Sequence, residues 1–153
     1  MGYSKNEITE MRDKRNRIYS DLLKTDLKII NGAEDTLKHF HKKLMMGIVT
    51  SSRRDHFEII HSSTGFRKYF DFEITSDECN ETKPSPKPYL IALEKSGFDK
   101  AECLIIEDSE RGLKAAIAAG IKCYVIPTEL TKNSDFTGAA KILNNINELI
   151  SEL

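Results

Sequence analysis

Hydrophobic residues recur along the chain at two different spacings. Near the N-terminus, Ile8, Met11, Ile18 and Leu22 recur at helical spacing among many charged residues, which predicts an amphipathic helix over about residues 6 to 24. Further along, short apolar runs alternate with segments of helical spacing. Such alternation is typical of a parallel sheet that is wrapped by helices.

The alternating part of the chain predicts five strands and five more helices. The strands are expected at 45–49, 72–75, 103–106, 123–126 and 139–143. The helices are expected at 33–44, 55–61, 88–96, 112–119 and 146–153. The predicted fold class is therefore α/β, with a Rossmann-like parallel sheet flanked by helices.

Length and composition narrow the class of protein. With 153 residues the chain has the size of about one domain, and 39% apolar residues are enough for a packed core. The formal net charge of −1 provides no overall field that would attract nucleic acid or an anionic membrane. We therefore expect neither as a partner, and any anion site must be local.

Cysteine usage and the terminal sequence indicate the compartment. Cys79, Cys103 and Cys123 form no C-x-x-C pair, and their odd number argues against a disulfide framework. The N-terminus lacks an apolar signal core, and the longest apolar runs are too short to span a bilayer. We expect a reduced, cytoplasmic protein.

Polar residues follow the predicted strands, whose carboxyl ends open onto a ligand-binding crevice in sheets of this kind. Thr50, Ser51 and Ser52 follow the first strand, so that hydroxyls and free N–H groups converge where a phosphate oxygen can bind. Simple helix capping is the alternative. Lys83 precedes the proline-rich segment 84–88 and offers a positive charge for phosphate or a carboxylate, although most lysines are ordinary surface residues.

Two adjacent acids, Glu107 and Asp108, follow the predicted strand 103–106. Carboxylate oxygens suit a hard cation such as Mg²⁺, and without a cation the two charges would repel one another. The alternative is that they belong to an ordinary helix start, where acids are common and where Asp108 or Ser109 can cap the helix.

The order of these segments resembles that of a known family. Three segments are similar to motifs of the haloacid dehalogenase-like hydrolases. They are the strand end 47–52, the Lys-Pro-Ser-Pro segment 83–86 and the stretch 106–120. The resemblance is greatest to the branch with a small helical cap, which includes β-phosphoglucomutase and phosphoglycolate phosphatase. It covers residues from about 28 to 153, and the stretch 106–120 is its most specific part.

The resemblance implies a Mg²⁺-dependent phosphatase or a phosphoglucomutase-like enzyme that acts on a small phosphorylated metabolite. It implies catalytic roles for Thr50 and Lys83 and a metal site at Glu107 and Asp108. The implied phosphate-binding residues are Thr50, Ser51, Ser52 and Lys83.

The chain also departs from the family pattern. Family members carry an Asp-x-Asp motif after their first strand, whose first Asp attacks phosphorus and whose second acts as general acid and base. No Asp-x-Asp followed by Thr or Val occurs in the 153 residues, so no nucleophile is assigned. The resemblance then implies that residues 1–28 are a remnant of the helical cap and that 29–153 are a core without its first, central strand.

The departure has functional consequences. We expect the chain alone to hydrolyse phosphate esters negligibly and to bind Mg²⁺ weakly. In the family the first strand lies between the strands that here end at Thr50 and Ile106. Its absence would make these two strands pair directly or expose their backbone, which favours self-association or pairing with an N-terminal fragment. The alternative is a non-catalytic binding or scaffold protein that uses the same fold.

Two further sets of residues are interpreted as surface residues. Arg53 and Arg54 lie near the expected phosphate but are interpreted as solvated arginines at a helix start. The same interpretation applies to the four histidines, which lie on predicted helices away from the strand ends: His39, His41, His56 and His61.

Overall fold

A computed structural model describes residues 2–153, so that only Met1 of the predicted 1–28 segment lies outside it. Within these residues the chain forms six α-helices, five short strands and three 3₁₀ turns. The helices are α1 Lys5–Thr25, α2 Ala33–Phe40, α3 Arg54–Thr64, α4 Lys87–Ser96, α5 Glu110–Ala119 and α6 Leu149–Glu152. The strands are β1 Gly47–Val49, β2 Phe72–Ile74, β3 Leu104–Glu107, β4 Lys122–Val125 and β5 Lys141–Ile142. The predicted α/β class and its helix-flanked parallel strands are confirmed.

The strands are divided between two parallel sheets. β1 pairs with β2, and β3, β4 and β5 form the second sheet in that order. No ladder joins β1 to β3 among the described residues. From the sequence we expect these two strands either to pair directly or to expose their backbone. They do not pair directly.

One core nevertheless holds the two sheets side by side. Helix α4 packs on β1 and β2 and also contacts α5, which packs on β3 and β4. Val49 of β1 and Ile105 of β3 both pack against the cluster around the fully buried Leu113. The gap between β1 and β3 is thus flanked by strands that share a hydrophobic layer.

The first helix is attached to the rest of the fold through α3. Ser4 and Glu7 form a reciprocal capping box at its start, in agreement with the predicted position of the helix. Leu23 is its one buried residue, and Tyr19 places its ring edge-on against His56. His56 is only 5% exposed, so its interpretation as a surface residue is wrong: α1 covers the face of α3 on which it lies. The division at residue 28 stays a prediction.

Some element boundaries differ from the periodic pattern. The second helix was expected to reach residue 44 but ends at Phe40, because His41 leaves the helical region with a ψ of 128° and Lys42 then adopts a left-handed conformation with a φ of 64°. The first strand accordingly begins at Gly47 rather than at 45. The expected helix 146–153 begins as a 3₁₀ turn before the short α6. No helix of residues 2–153 is long and apolar enough to cross a membrane.

Candidate functional site

The segment that follows β1 forms a tight turn that is closed by a hydroxyl. The Thr50 N–H donates to the carbonyl of Ile74 (2.9 Å), which continues the β1–β2 pairing. Thr50 Oγ1 accepts a hydrogen bond from the Ser52 N–H (3.1 Å), so that the hydroxyl proton of Thr50 is free to be donated. Among the described residues the Ser51 N–H has no hydrogen-bond partner. The turn therefore presents one hydroxyl and one amide donor.

The helix does not begin where the sequence suggested. α3 starts at Arg54, and its first N–H donates to Asp77 Oδ2 (2.5 Å) instead of remaining free for an anion. The Ser52 amide is likewise occupied by Thr50. The expectation that the N–H groups of both serines are available is thus met for Ser51 and not for Ser52.

Lys83 is largely buried, which excludes the interpretation as an ordinary surface lysine. Its side chain is 13% exposed. The ammonium donates to the carbonyl of Val49 (3.0 Å) and to Glu107 Oε1 (2.5 Å), and it lies 4.7 Å from the ring centre of Tyr89. Arg111 holds the backbone of Lys83 by donating to its carbonyl (Nε, 3.1 Å). The ammonium is thereby fixed between the carboxyl ends of β1 and β3.

Glu107 is a buried carboxylate that receives four donors. Oε1 accepts from Lys83 and from the Tyr89 hydroxyl, while Oε2 accepts from the Ser109 hydroxyl (3.1 Å) and the Asp108 N–H (3.3 Å). Burial opposes ionisation, but the Lys83 ammonium and the hydrogen bonds outweigh it and hold the pKa of Glu107 below its usual value. Glu107 is therefore ionised at neutral pH.

A glycine makes this close approach possible. A Cβ at Gly112, on the first turns of α5, would lie 1.9 Å from the Glu107 carboxyl carbon. Only a residue without a side chain lets α5 pack directly over the carboxylate. The Gly112 N–H donates to Ser109 Oγ (3.1 Å), so Ser109 is the N-cap of α5.

Because Ser109 caps the helix, Asp108 is left free. Its side chain is exposed and accepts no hydrogen bond from another residue among those described. Partial desolvation and the neighbouring charge of Glu107 raise the pKa of Asp108. Of the two acids, Asp108 is the one whose oxygens are available to a ligand.

The expected phosphate residues and the lysine meet at one small pocket. Thr50, Ser51 and Lys83 line a pocket with a cavity volume of about 10 Å³, together with residues from the end of β2 and from the segment before α4. Ser52 does not line this pocket. The pocket offers hydroxyl, amide and ammonium donors over a short distance, which is the donor set that an oxyanion needs.

The two acids suit Mg²⁺ in kind but supply only part of a site. Mg²⁺ takes oxygen ligands and commonly binds one or two carboxylates together with water and a phosphate. The described residues contain no group of three or more His, Cys, Asp or Glu side chains that could hold a metal ion. Since the oxygens of Glu107 already accept four hydrogen bonds, Asp108 has the carboxylate whose oxygens remain available.

The arginines after the turn are engaged by acids. Arg53 is exposed and binds Asp55 with two hydrogen bonds (3.1 and 3.2 Å). Arg54 is half-buried and pairs with Glu73 (3.2 Å) and with Glu78. The solvated interpretation therefore holds for Arg53 and is wrong for Arg54, whose guanidinium is drawn inward by carboxylates from β2 and the loop that follows it.

Tyr89 was not identified from the sequence. Its side chain is buried on the first turn of α4, where the hydroxyl donates to Glu107. Burial, together with the charge of Glu107, raises the pKa of Tyr89, so the phenol stays protonated as a donor. The only feature of the sequence that could have indicated Tyr89 is its position six residues after Lys83, where a proline-rich turn leads into a helix.

Comparisons with known proteins find related sequences and a similar fold. The sequence model of the haloacid dehalogenase-like hydrolases matches residues 2–126. The protein CbbY of Rhodobacter capsulatus is 36% identical over 99 residues, which is 63% of this chain and 44% of CbbY. The fructose-1-phosphate phosphatase YqaB of Escherichia coli is 31% identical over 87 residues, or 57% of this chain and 46% of YqaB.

A solved structure extends the similarity to the fold. The crystal structure of CbbY from Rhodobacter sphaeroides in complex with phosphate superposes with a TM-score of 0.84 at 25% identity. The superposition covers 97% of this chain and 68% of CbbY. By sequence, the chain spans less than half the length of CbbY from Rhodobacter capsulatus and of YqaB.

Proposed function

Because the chain belongs to the haloacid dehalogenase-like hydrolases, we propose that it carries the phosphate-binding and metal-binding part of a phosphatase or a phosphoglucomutase-like enzyme. The substrate class that we propose is a small phosphorylated metabolite. One observation carries the proposal: the Lys83 ammonium is held between β1 and β3 by a buried carboxylate, beside the free donors of the Thr50 turn and the free carboxylate of Asp108.

The donors act on the phosphoryl group by position and charge. In the proposed complex the Thr50 hydroxyl and the Ser51 N–H donate to phosphoryl oxygens, and Lys83 supplies a positive charge. Charge-assisted hydrogen bonds of this type are about twice as strong as neutral ones. Glu107 and Tyr89 act through Lys83, because they fix its ammonium at the pocket.

The local charge supports a requirement for a cation. Glu107 and Asp108 carry two negative charges, and Lys83 carries one positive charge. The site without metal therefore has a net negative charge and repels phosphate. Mg²⁺ would be held by Asp108, with Glu107 beside it, and when bound it neutralises charge on a phosphoryl group. We propose weak binding, since the oxygens of Glu107 already accept four hydrogen bonds and Asp108 alone fills only part of an octahedral shell.

No described residue is placed as a nucleophile. Glu81, which lines the pocket, accepts from the Ser85 hydroxyl (2.6 Å), Glu107 is saturated with donors and Asp77 caps α3. The free carboxylate of Asp108 is the one that we assign to the cation. Phosphoryl transfer that proceeds through an attacking carboxylate then needs a group from outside these residues. We propose that the chain alone turns over phosphate esters negligibly, and that self-association or pairing with an N-terminal fragment that carries Asp-x-Asp is compatible with this site.

The test separates anion binding from turnover. Inorganic phosphate and vanadate are titrated into the protein with and without Mg²⁺, and the binding heats are compared for wild type, Asp108→Asn and Lys83→Met. The matched control is Glu110→Gln, which removes an acid two residues away that is paired with Lys114. We expect Mg²⁺-dependent binding in wild type and in the control, and at least a tenfold loss in the other two variants, or about 1.4 kcal/mol.

Two results would contradict the proposal. Equal anion binding by all four proteins would remove the assigned roles of Lys83 and Asp108. Robust hydrolysis of an aryl phosphate by the 153-residue chain, abolished in Asp108→Asn, would show that an acid within the chain is the nucleophile. Anion binding without turnover, even after an Asp-x-Asp fragment is added, would favour the second candidate, a non-catalytic binding protein, which the absence of a placed nucleophile supports.

A further inference from the structure

Part of the pocket wall is formed by the loop that follows β2. Thr75 and Ser76, at the start of this loop, both line the pocket. Thr75 is only 1% exposed, and the Ser76 N–H donates to the carbonyl of Ser52 (3.0 Å), which ties this wall to the turn after β1. A cavity of about 10 Å³ is close to the smallest that holds one water-sized oxygen. A small displacement of the wall therefore decides whether an oxyanion fits.

The carboxylate of Glu78 holds Thr75 in place. Glu78 Oε2 accepts from both the N–H (2.7 Å) and the hydroxyl (2.5 Å) of Thr75. Partial burial opposes the ionisation of Glu78, but the hydrogen bonds from Thr75 and the ion pair with Arg54 outweigh it and hold the pKa of Glu78 below its usual value. Glu78 does not itself line the pocket. It is an ionised group that acts on the pocket wall through Thr75.

Arg54 connects Glu78 to the elements on either side of the loop. Its guanidinium pairs with Glu78 and, through Nη1, with Glu73 of β2 (3.2 Å). On α3 the same guanidinium lies 5.3 Å from the ring centre of the buried Phe57. The backbone N–H of Arg54 donates to Asp77 of the loop (2.5 Å). One residue of α3 therefore holds the loop with both its backbone and its side chain.

We propose that Arg54 is a positioning residue of the anion pocket, which fixes the wall of Thr75 and Ser76 through Glu78 without touching the anion. Arg54 does not line the pocket, so its effect on an anion is indirect. The inference rests on the proposed function, because it takes phosphate as the occupant of the pocket. Removal of the groups that orient metal ligands costs about 10–100-fold in affinity. We expect the lower end of this range, since Glu78 keeps its own hydrogen bonds to Thr75.

Arg67 provides a matched control on the same charged network. Like Arg54, it pairs with Glu73 (2.5 Å). Its other partner is Glu58 of α3 (3.2 Å), whereas Arg54 binds Glu78 of the loop. Arg67→Met and Arg54→Met therefore each remove one cation that neutralises Glu73, and only Arg54→Met releases the loop after β2.

Calorimetric titration of inorganic phosphate in the presence of Mg²⁺ tests the proposal. The proteins compared are wild type, Arg54→Met, Glu78→Gln, the double variant and Arg67→Met. Arg54→Met and Glu78→Gln should each weaken phosphate binding about tenfold. Because both changes break the same ion pair, the double variant should bind within about twofold of the weaker single variant. Arg67→Met should bind phosphate within about twofold of wild type, although its urea midpoint falls as that of Arg54→Met does.

The variants also define the results that overturn the proposal. Wild-type affinity in Arg54→Met would do so, and so would an equal loss in Arg67→Met, which would assign the effect to general stability. Losses that multiply in the double variant would show that Arg54 and Glu78 do not act as one pair.

Failure of the proposed function gives a different result. If the wild type binds no phosphate, the proposed function is wrong, and amide hydrogen exchange of Thr75 and Ser76 without anion decides whether Arg54 positions the wall. Faster exchange of these amides in Arg54→Met than in Arg67→Met supports the positioning role. Equal exchange in the two variants overturns it.

Discussion

Replacement of Lys83 by methionine tests how the buried ion pair supports the fold. Lys83→Met keeps the length of the side chain and removes the charge, so Glu107 is left as a buried carboxylate without its cation. Removal of one partner of a buried ion pair costs about 3–5 kcal/mol. Three donors to Glu107 remain, from Tyr89, Ser109 and the Asp108 N–H, which favours the lower end of that range.

The expected loss can be measured by urea unfolding in the presence of EDTA. With a denaturant slope of about 2 kcal/mol/M, a loss of about 3 kcal/mol lowers the midpoint by about 1.5 M. Lys87→Met is the matched control, since Lys87 is exposed four residues further along and such surface changes alter stability by about 0.5 kcal/mol or less. The double variant Lys83→Met/Glu107→Gln removes the orphaned charge as well and should recover at least half of the loss.

The pH dependence provides a second check. In the wild type the lowered pKa of Glu107 means that its contribution to stability is present above the ordinary carboxyl pKa and is lost as pH falls through the lowered value. Without Lys83 the same carboxyl binds a proton at higher pH, so the difference in stability between the two proteins narrows on acidification. A Lys83→Met protein as stable as the control, or a double variant no more stable than the single one, would refute the reasoning.

Two further substitutions and one labelling experiment probe the same region. Asp108→Asn should raise the urea midpoint at neutral pH in EDTA, because the raised pKa of Asp108 reflects a charge that destabilises the fold above that pKa, and the gain should vanish at acidic pH; an unchanged or lower midpoint at neutral pH would contradict this. Gly112→Ala should cost about 1–3 kcal/mol or more, since its Cβ would overlap the Glu107 carboxylate, and a midpoint close to wild type would show that α5 shifts freely. Burial raises the pKa of the Cys123 thiol to about 12, so an aromatic disulfide reagent at pH 8 should label the half-buried Cys103 first and Cys123 only after unfolding; early labelling of Cys123 would indicate local opening.

The pattern of apolar positions predicts the regular elements well. α1 was expected over 6–24 and spans Lys5–Thr25, because apolar spacing and the polar cap at Ser4 act locally. The 3₁₀ turns at Phe66–Tyr69 and Lys100–Glu102 were missed, since turns of three or four residues are too short to show a period. The end of α2 was misplaced because the backbone leaves the helix at His41 and Lys42, and neither residue type marks a helix end.

The candidate site is predictable only where it follows the ends of strands. Thr50, Lys83 and Asp108 could be singled out because parallel strands bring their carboxyl ends to one edge. The Tyr89 contact depends instead on how α4 is rotated against β3, which is decided by the packing of the whole core. The burial of His56 likewise arises from the docking of a distant helix, which the local pattern of α3 does not contain.

The way in which α1 is attached has a consequence for proteolysis. Leu23 is its one buried residue, and the apolar side chains of Ile18 and Leu22 are about half exposed, so the helix covers little of the core. A helix with few buried contacts can open at a free energy well below that of global unfolding. Trypsin should therefore cleave first at the exposed basic residues of α1 or at Lys28 just after it. The remaining fragment should retain the sheets and the pocket while the rest of the molecule resists digestion.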